Sequence, residues 1–205
     1  MHVLIFGATR NTGLETARLL RARGDSVTAV ARKNANTEAL SAAGAAILEG
    51  DALDGPGLKQ LLAGKSFDAV VCSLGNTPWT SEKVDHVGVA NVVDACKAAS
   101  VPRVILVSSI GAGDSRPALP LAARVVLGKV CDLKTLGENH LKASGLPFTI
   151  IRPGGLGKGP ATGRGVLLED PTISGGINRA EVARLIVQCL DDPKTIGKTY
   201  SAIEK

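Results

Sequence analysis

The stretch Val3-Leu4-Ile5-Phe6-Gly7-Ala8-Thr9-Arg10-Asn11-Thr12-Gly13 decides how the rest of the chain is read. Its leading apolar run is too short to cross a membrane and suits a buried strand. The run stops at a Gly-rich turn, and Leu14-Glu15-Thr16-Ala17-Arg18-Leu19-Leu20 follows with apolar residues at helical spacing. Strand, tight turn and helix in that order expose backbone N–H groups at the helix start, where the helix dipole favours an anion. Gly7 lets the chain leave the strand sharply, and Gly13 lets the helix pack close to the sheet. The loop departs from G-x-G-x-x-G and follows the related spacing G-x-x-G-x-x-G, with Arg10 where the middle glycine would stand. The strand before it, the helix after it and a second strand beyond make it a dinucleotide-binding loop.

Working outward, Ser26–Ala31 reads as strand two, Thr37–Ala43 as a short helix and Ala45–Glu49 as strand three. Pro56–Ala63 is the next helix, opened by Asp54 as N-cap. Ala69–Ser73 is strand four, Glu82 to Ala99 a long helix, and Arg103–Ser108 strand five. Gly111–Lys129 mixes Gly, Pro and apolar residues and reads as a mobile wall. A helix from Val130 to Ser144 ends at Gly145, a good left-handed terminator. Pro147–Ile151 is strand six, and Gly157–Gly176 a Gly-rich substrate-side loop with one short strand. A last helix runs from Arg179 to Leu190, and Lys198–Ile203 is a final strand. Near-continuous apolar strands alternating with helices mean a parallel sheet covered on both faces. The expected fold is therefore α/β and doubly wound, strand order 3-2-1-4-5-6(-7), with residues 1–205 forming a single domain.

The chain has 205 residues, enough for one full α/β core and too few for two. Aromatic residues make up only 2%, so the core must be built from Val, Ile, Leu and Ala. The net charge of +5 is spread along the sequence without a basic block, which argues against nucleic acid and is more simply used on an anionic cofactor. The first strand opens the sequence, so no signal or transit peptide is expected, nor a membrane span, and the expected location is cytoplasmic. Cys72, Cys96, Cys131 and Cys189 lack C-x-x-C pairing and read as buried thiols. His2, His86 and His140 form no cluster of metal-ligand spacing, so no metal is expected. The expected state is a monomer or weak homo-oligomer.

An NAD site usually ends strand two with an acid that holds the adenine ribose. Here strand two ends Val30-Ala31-Arg32-Lys33, and Arg32 suits a 2′-phosphate because a guanidinium pairs bidentately with its oxygens. Arg10 lies close to the same ribose in such a fold, so NADP(H) is expected. Asp51, with Ala52 and Leu53 after strand three, is placed to take the adenine amino group, or else to cap the next helix. Leu74, Gly75 and Asn76, at the end of strand four, fall at the switch-point crevice where backbone approaches a cofactor.

At this point the chain resembles the atypical short-chain dehydrogenase/reductases over nearly its whole length. The residues that carry the resemblance are Gly7–Gly13, Gly50-Asp51, Val107-Ser108-Ser109, Ser144–Gly154 and Asn178-Arg179-Ala180-Glu181-Val182-Ala183. Its size and the Gly111-Ala112-Gly113-Asp114-Ser115 loop are similar to the flavin reductase/biliverdin-IXβ reductase-like branch. The resemblance implies a Rossmann-like fold in which Gly7–Gly13 (Thr9, Arg10, Asn11 and Thr12 among them) holds the pyrophosphate. It implies that Arg32, with Lys33 beside it, takes the 2′-phosphate. It also implies that Leu74-Gly75 and Pro153-Gly154-Gly155-Leu156 flank the nicotinamide, with Ser109 or Ser108 beside it. The usual members carry Y-x-x-x-K after strand five. Here Lys134 meets the Lys position, but Val130 stands at the Tyr position and the one tyrosine, Tyr200, lies on the final strand.

Ketone reduction leaves a localised alkoxide that needs a positioned acid. A flavin, quinone or linear tetrapyrrole spreads the incoming charge over a ring system and mainly needs proximity. The first expectation is therefore an NADPH-dependent reductase of a planar conjugated acceptor, with Ser109, Ser108 and Lys134 as candidate catalytic residues. The second is a non-catalytic NADP(H)-binding regulator or assembly factor, since members of the resembled family that lack the Tyr serve as sensors or scaffolds. A nucleotide-sugar epimerase or dehydratase ranks third, because it needs the Tyr and a larger C-terminal half. Trp79, in the loop after strand four, packs as core, as a lid or against a planar substrate.

Overall fold

Strand β1 (His2–Phe6) is the centre of the sheet because almost every side chain on it is apolar and both faces are covered. Val3 and Ile5 point to one face and Leu4 and Phe6 to the other, all at most 1% exposed. On the first face they meet Ala17 and Leu20 of helix α1 (Asn11–Ala22) and Leu185 and Ile186 of α6 (Arg179–Asp191). On the second they meet Leu58 and Leu62 of α3 (Gly55–Leu62) and Val92 and Val93 of α4 (Val89–Ala98). Each such side chain contributes about 1.5–3 kcal/mol by leaving water, so a charge at Leu4 would unseat one whole layer. The computed structural model describes residues 1–75 and 84–205. Asn76, Trp79 and the expected helix start at Glu82 lie outside the described residues.

The main sheet has the order β3-β2-β1-β4-β5-β6-β10-β8. Beside β1 lie β2 (Ser26–Ala31) and β4 (Ala69–Cys72), both parallel to it, with Phe6 opposite Val30 and Cys72. β3 (Ala46–Glu49) closes one edge, while β5 (Val104–Val107), β6 (Phe148–Pro153) and β10 (Lys198–Glu204) continue the parallel run. The antiparallel edge strand β8 (Gly165–Leu168) comes from the Gly-rich segment, and β7 (Gly155–Gly157) pairs with β9 (Gly176–Asn178) apart from the main sheet. The expected order 3-2-1-4-5-6 with the last strand outside β6 is what the chain adopts. The connections from β1 and β4 leave in opposite senses, which opens a crevice at their carboxyl ends.

One expectation is corrected. The segment read as a mobile wall folds into a 3-10 turn, Gly113–Ala118, and the first turns of a helix α5 running from Leu121 to Ala143. Pro117 and Pro120 fix where that helix starts, and Leu121-Ala122-Ala123-Arg124 are good helix formers. The helix was hidden because Leu127 and Val130 face the crevice while Leu121 and Val125 are exposed, so no single apolar stripe marks it.

Candidate functional site

Gly7 leaves β1 at φ +78°, and a Cβ there would lie 2.4 Å from the Ser73 carbonyl oxygen beyond β4. A Cβ on Gly13, in the first turn of α1, would lie 2.3 Å from the Gly7 carbonyl oxygen. Both positions therefore require glycine. Arg10 at the middle position is extended (φ −159°), a conformation open to any residue. The left-handed residue is its neighbour Asn11 at φ +55°, and asparagine tolerates that region well. No side chain caps α1 and its first turn holds no acid, so the leading N–H groups keep no intrahelical acceptor. This cradle fits a dinucleotide phosphate.

The loop floors a cleft of about 580 Å³ along the carboxyl ends of the parallel strands. Gly7, Thr9, Arg10, Asn11 and Thr12 line it, with Gly13 buried beneath. At the β2 end Arg32 joins them, and Lys33 borders an adjoining pocket of about 560 Å³ shared with Arg32, Gly50 and Asp51. Asp51, Ala52 and Leu53 form the rim there. Asp51 accepts the Leu53 amide at 2.9 Å, while Asp54 caps α3 by accepting the Gly57 amide at 3.0 Å. The helix cap is thus Asp54, and Asp51 closes a turn.

The other end of the cleft is formed by Leu74, Gly75, Ser108, Ser109, Lys134, Pro153, Gly154 and Leu156. Gly155 opens β7 and is not among the lining residues. Ser108 Oγ donates to Glu138 Oε1 at 2.5 Å, and Glu138 accepts two bonds from Arg152 at 2.9 and 2.7 Å. Asp114 pairs with the same guanidinium, so the hydroxyl of Ser108 belongs to a buried network. Among the described residues, the half-buried Ser109 donates its Oγ proton to the adjacent Ile110 carbonyl, at 3.0 Å. Val130 lines the cleft at the place of the missing tyrosine, and Tyr200 on β10 does not reach it.

Two charged residues that sequence reasoning passed over belong to this end. Asp85, in a π-helical turn (Val84–Gly88) ahead of α4, holds Lys134 Nζ at 2.7 Å with a fully buried carboxylate. A lone acid among Val84, Val87 and Val89 was the available signal, because a buried carboxylate needs a cation. Arg179 lines the cleft from the start of α6, where the helix dipole disfavours a cation, and that placement was its signal. None of the three histidines lines the cleft; His2 bonds Thr28 at 2.8 Å and His140 bonds Asp94 at 2.7 Å. All four cysteines are buried and unpaired, and burial pushes the Cys72 thiol up to about 12. Among the described residues no acid and cysteine or histidine group has the spacing for a metal ion, and no helix is long and apolar enough to cross a membrane.

Residues 7–193 match the family model described as NAD(P)H-binding, and the chain belongs to that family. Its likeness to ChuY, an anaerobilin reductase from Escherichia coli O157:H7, spans 100% of this chain and 97% of that one, at TM-score 0.89 and 32% identity. An uncharacterised chloroplastic protein of Arabidopsis thaliana is 35% identical over 99% of this chain and 76% of its own length. An uncharacterised sugar epimerase of Bacillus subtilis, YhfK, is 30% identical over 100% of this chain and 94% of its own length. The chain is therefore an NAD(P)-binding Rossmann protein of oxidoreductase type, in agreement with the resemblance read from its residues.

Proposed function

We propose that this protein is an NADPH-dependent reductase acting on a planar conjugated acceptor of the flavin, bilin or quinone class. The observation that carries the proposal is the end of the cleft where Lys134 and Ser109 stand beside Val130, with no phenol to donate a proton. An acceptor that delocalises the incoming charge tolerates that arrangement, whereas a simple ketone does not. ChuY, the structural relative named an anaerobilin reductase, supports the acceptor class. The epimerase name of the Bacillus relative is set against it by the same missing tyrosine.

In this reading the amides of the Gly7–Gly13 cradle hold the pyrophosphate, and Arg10, Arg32 and Lys33 hold the 2′-phosphate. β2 is followed directly by Arg32 and Lys33 and not by an acid; the two carboxylates in the adjoining pocket, Glu49 and Asp51, come from the end of β3 and the turn after it. Asp51, Ala52 and Leu53 border the adenine, and Leu74, Gly75 and Pro153–Leu156 flank the nicotinamide. A bound NADPH supplies a hydride. Ser109, whose hydroxyl among the described residues is tied to its neighbour's carbonyl alone, orients a water that gives the acceptor its proton. Lys134, kept in place by Asp85, binds ribose hydroxyls, and Ser108 stiffens the end of β5 through Glu138.

The test is NADPH oxidation followed with FMN, biliverdin and a simple quinone, and in parallel with NADH. Turnover of at least one acceptor, with NADPH strongly preferred, is the expected result. Tight cofactor binding without turnover of any of them would remove the reductase reading and leave the regulator.

A further inference from the structure

Among the described residues that line the cleft, Arg179 is the cation that the proposed reaction leaves without a task. Arg179 opens α6 and donates through Nη1 to the carbonyls of Leu156, at 3.1 Å, and Gly157, at 2.9 Å. These bonds hold the guanidinium against β7 and beside the cleft, and they are its only bonds among the described residues. Its remaining N–H donors are thus available to a ligand.

The neighbouring charges make this cation distinct. Lys134 is matched by Asp85 at 2.7 Å, and Arg152 is matched by Glu138 at 2.7 Å. The one carboxylate that lines the cleft among the described residues is Asp51, at the opposite rim. Arg179 also sits at the end of its helix where the dipole disfavours a cation, and among the described residues no ion pair joins it to Glu181 in the same turn or to Glu204, which accepts the Asn178 amide at 3.0 Å. Around it the wall is apolar: Leu127 and Val130 line the same end, and Leu156 stays 42% exposed. An apolar wall beside an unmatched guanidinium suits a ligand with an apolar body and an anionic group, because the fork of an arginine pairs bidentately with carboxylate or phosphate.

We infer that Arg179 binds an anionic substituent of the acceptor, so that the substrate is a planar apolar molecule bearing a carboxylate or a phosphate. The inference rests on the acceptor class proposed above, and it is tested by binding so that the two can fail separately. NADP⁺-saturated protein is titrated with two matched pairs, FMN against riboflavin and biliverdin against its dimethyl ester, read by flavin fluorescence or bilin absorbance. In at least one pair the anionic member should bind about ten- to a hundredfold tighter than its neutral twin, the range expected for a charge-assisted bond. A response of the flavin pair assigns a phosphate, and a response of the bilin pair a carboxylate.

In Arg179→Gln, which keeps a donor for one strap carbonyl, the preference should fall to within about twofold while NADPH affinity moves less than about threefold. A second measurement that needs no variant is salt: the wild-type preference should shrink as ionic strength rises. The inference is overturned by no preference in either pair, by a preference that Arg179→Gln leaves intact, by a preference insensitive to salt, or by a loss of NADPH affinity as large as that of the acceptor. Failure of all four probes to bind would do the same. Absence of NADPH oxidation with the preference intact would end the reductase reading alone. Turnover of riboflavin and biliverdin dimethyl ester as efficient as that of their anionic partners would end the anion site alone.

Discussion

Glu181 offers the sharpest test of how the Gly-rich segment leading into β8 is held against α6. It sits in the first turn of α6, fully buried, and accepts the amides of Thr162 at 2.8 Å, Gly163 at 3.0 Å and Gly165 at 2.8 Å, along with Arg184 Nε at 2.8 Å. Burial pushes its carboxyl up, but the Arg184 bond and the Gly163 and Gly165 amides outweigh that and hold it at about 2 instead of the usual 4.5. At about 1.4 kcal/mol per tenfold change in proton affinity, the lowered value corresponds to about 3 kcal/mol of stability. Because the folded value lies below the unfolded one, this contribution is complete above 4.5 and drains away as pH falls towards 2. Glu181→Gln should therefore lower the melting temperature by about 6–12 °C at neutral pH. The deficit against wild type should shrink steadily between pH 5 and pH 2, the window the cited values define. Thermal denaturation across that range, with hydrogen exchange at the Thr162, Gly163 and Gly165 amides, is the assay. A deficit that stays constant with pH, or protection of those amides unchanged in the variant, would refute the reasoning.

Other outcomes follow from the same geometry. Arg32→Asp should raise the NADPH dissociation constant by more than about tenfold and hardly change that of NADH, measured by cofactor fluorescence; equal effects would end the NADP assignment. Gly13→Ala puts a methyl 2.3 Å from the Gly7 carbonyl oxygen, and neither backbone can yield cheaply. It should cost about 1–3 kcal/mol in denaturant titrations and weaken NADPH binding as well. Asp85→Asn removes the charge that matches Lys134 and should destabilise the fold by about 3 kcal/mol, the lower end for a broken buried pair. The double variant Asp85→Leu with Lys134→Met should recover much of that stability without recovering turnover. Val130→Tyr, four positions before Lys134, should leave NADPH binding unchanged and add slow reduction of a simple ketone, read by NADPH oxidation.

The sheet was legible because β1, β2, β4 and β5 are short, mainly apolar runs rich in Val, Ile, Leu and Ala without regular polar alternation, a pattern that suits a parallel sheet covered on both faces. The cradle was legible for a local reason too, since Gly7 and Gly13 are required by contacts within a few residues of themselves or by the neighbouring strand end. The start of α5 was not, because its first turns carry apolar side chains both into the cleft and out to solvent, and periodicity vanishes. Asp85 and Arg179 were hidden for a different reason. Their partners, Lys134 in one case and the Leu156 and Gly157 carbonyls in the other, are distant in sequence and meet only once the sheet has formed. The choice between Ser108 and Ser109 was hidden likewise, because it turns on Glu138 and Arg152 lying behind only one of them.

The two buried ion pairs at this end of the cleft bear on what the site is for. Both run through α5: Lys134 reaches Asp85 on one side, and Glu138 reaches Arg152 and Ser108 on the other. Residues 134 and 138 are one helical turn apart, so the helix is bolted to the π-helical turn, β5 and β6 over a single turn. Burying such pairs costs desolvation that apolar packing would avoid, so they are a poor means of stabilising the fold. What they do supply is a fixed position for the turn of α5 that carries Lys134, which in the proposed reaction faces the ligand together with Ser109. Hydride transfer to a delocalised acceptor depends chiefly on such proximity and orientation. A site that merely sensed the bound cofactor would gain from a wall free to move. The segment of α5 that carries Lys134 is not such a wall, because the buried Asp85 carboxylate holds it at 2.7 Å.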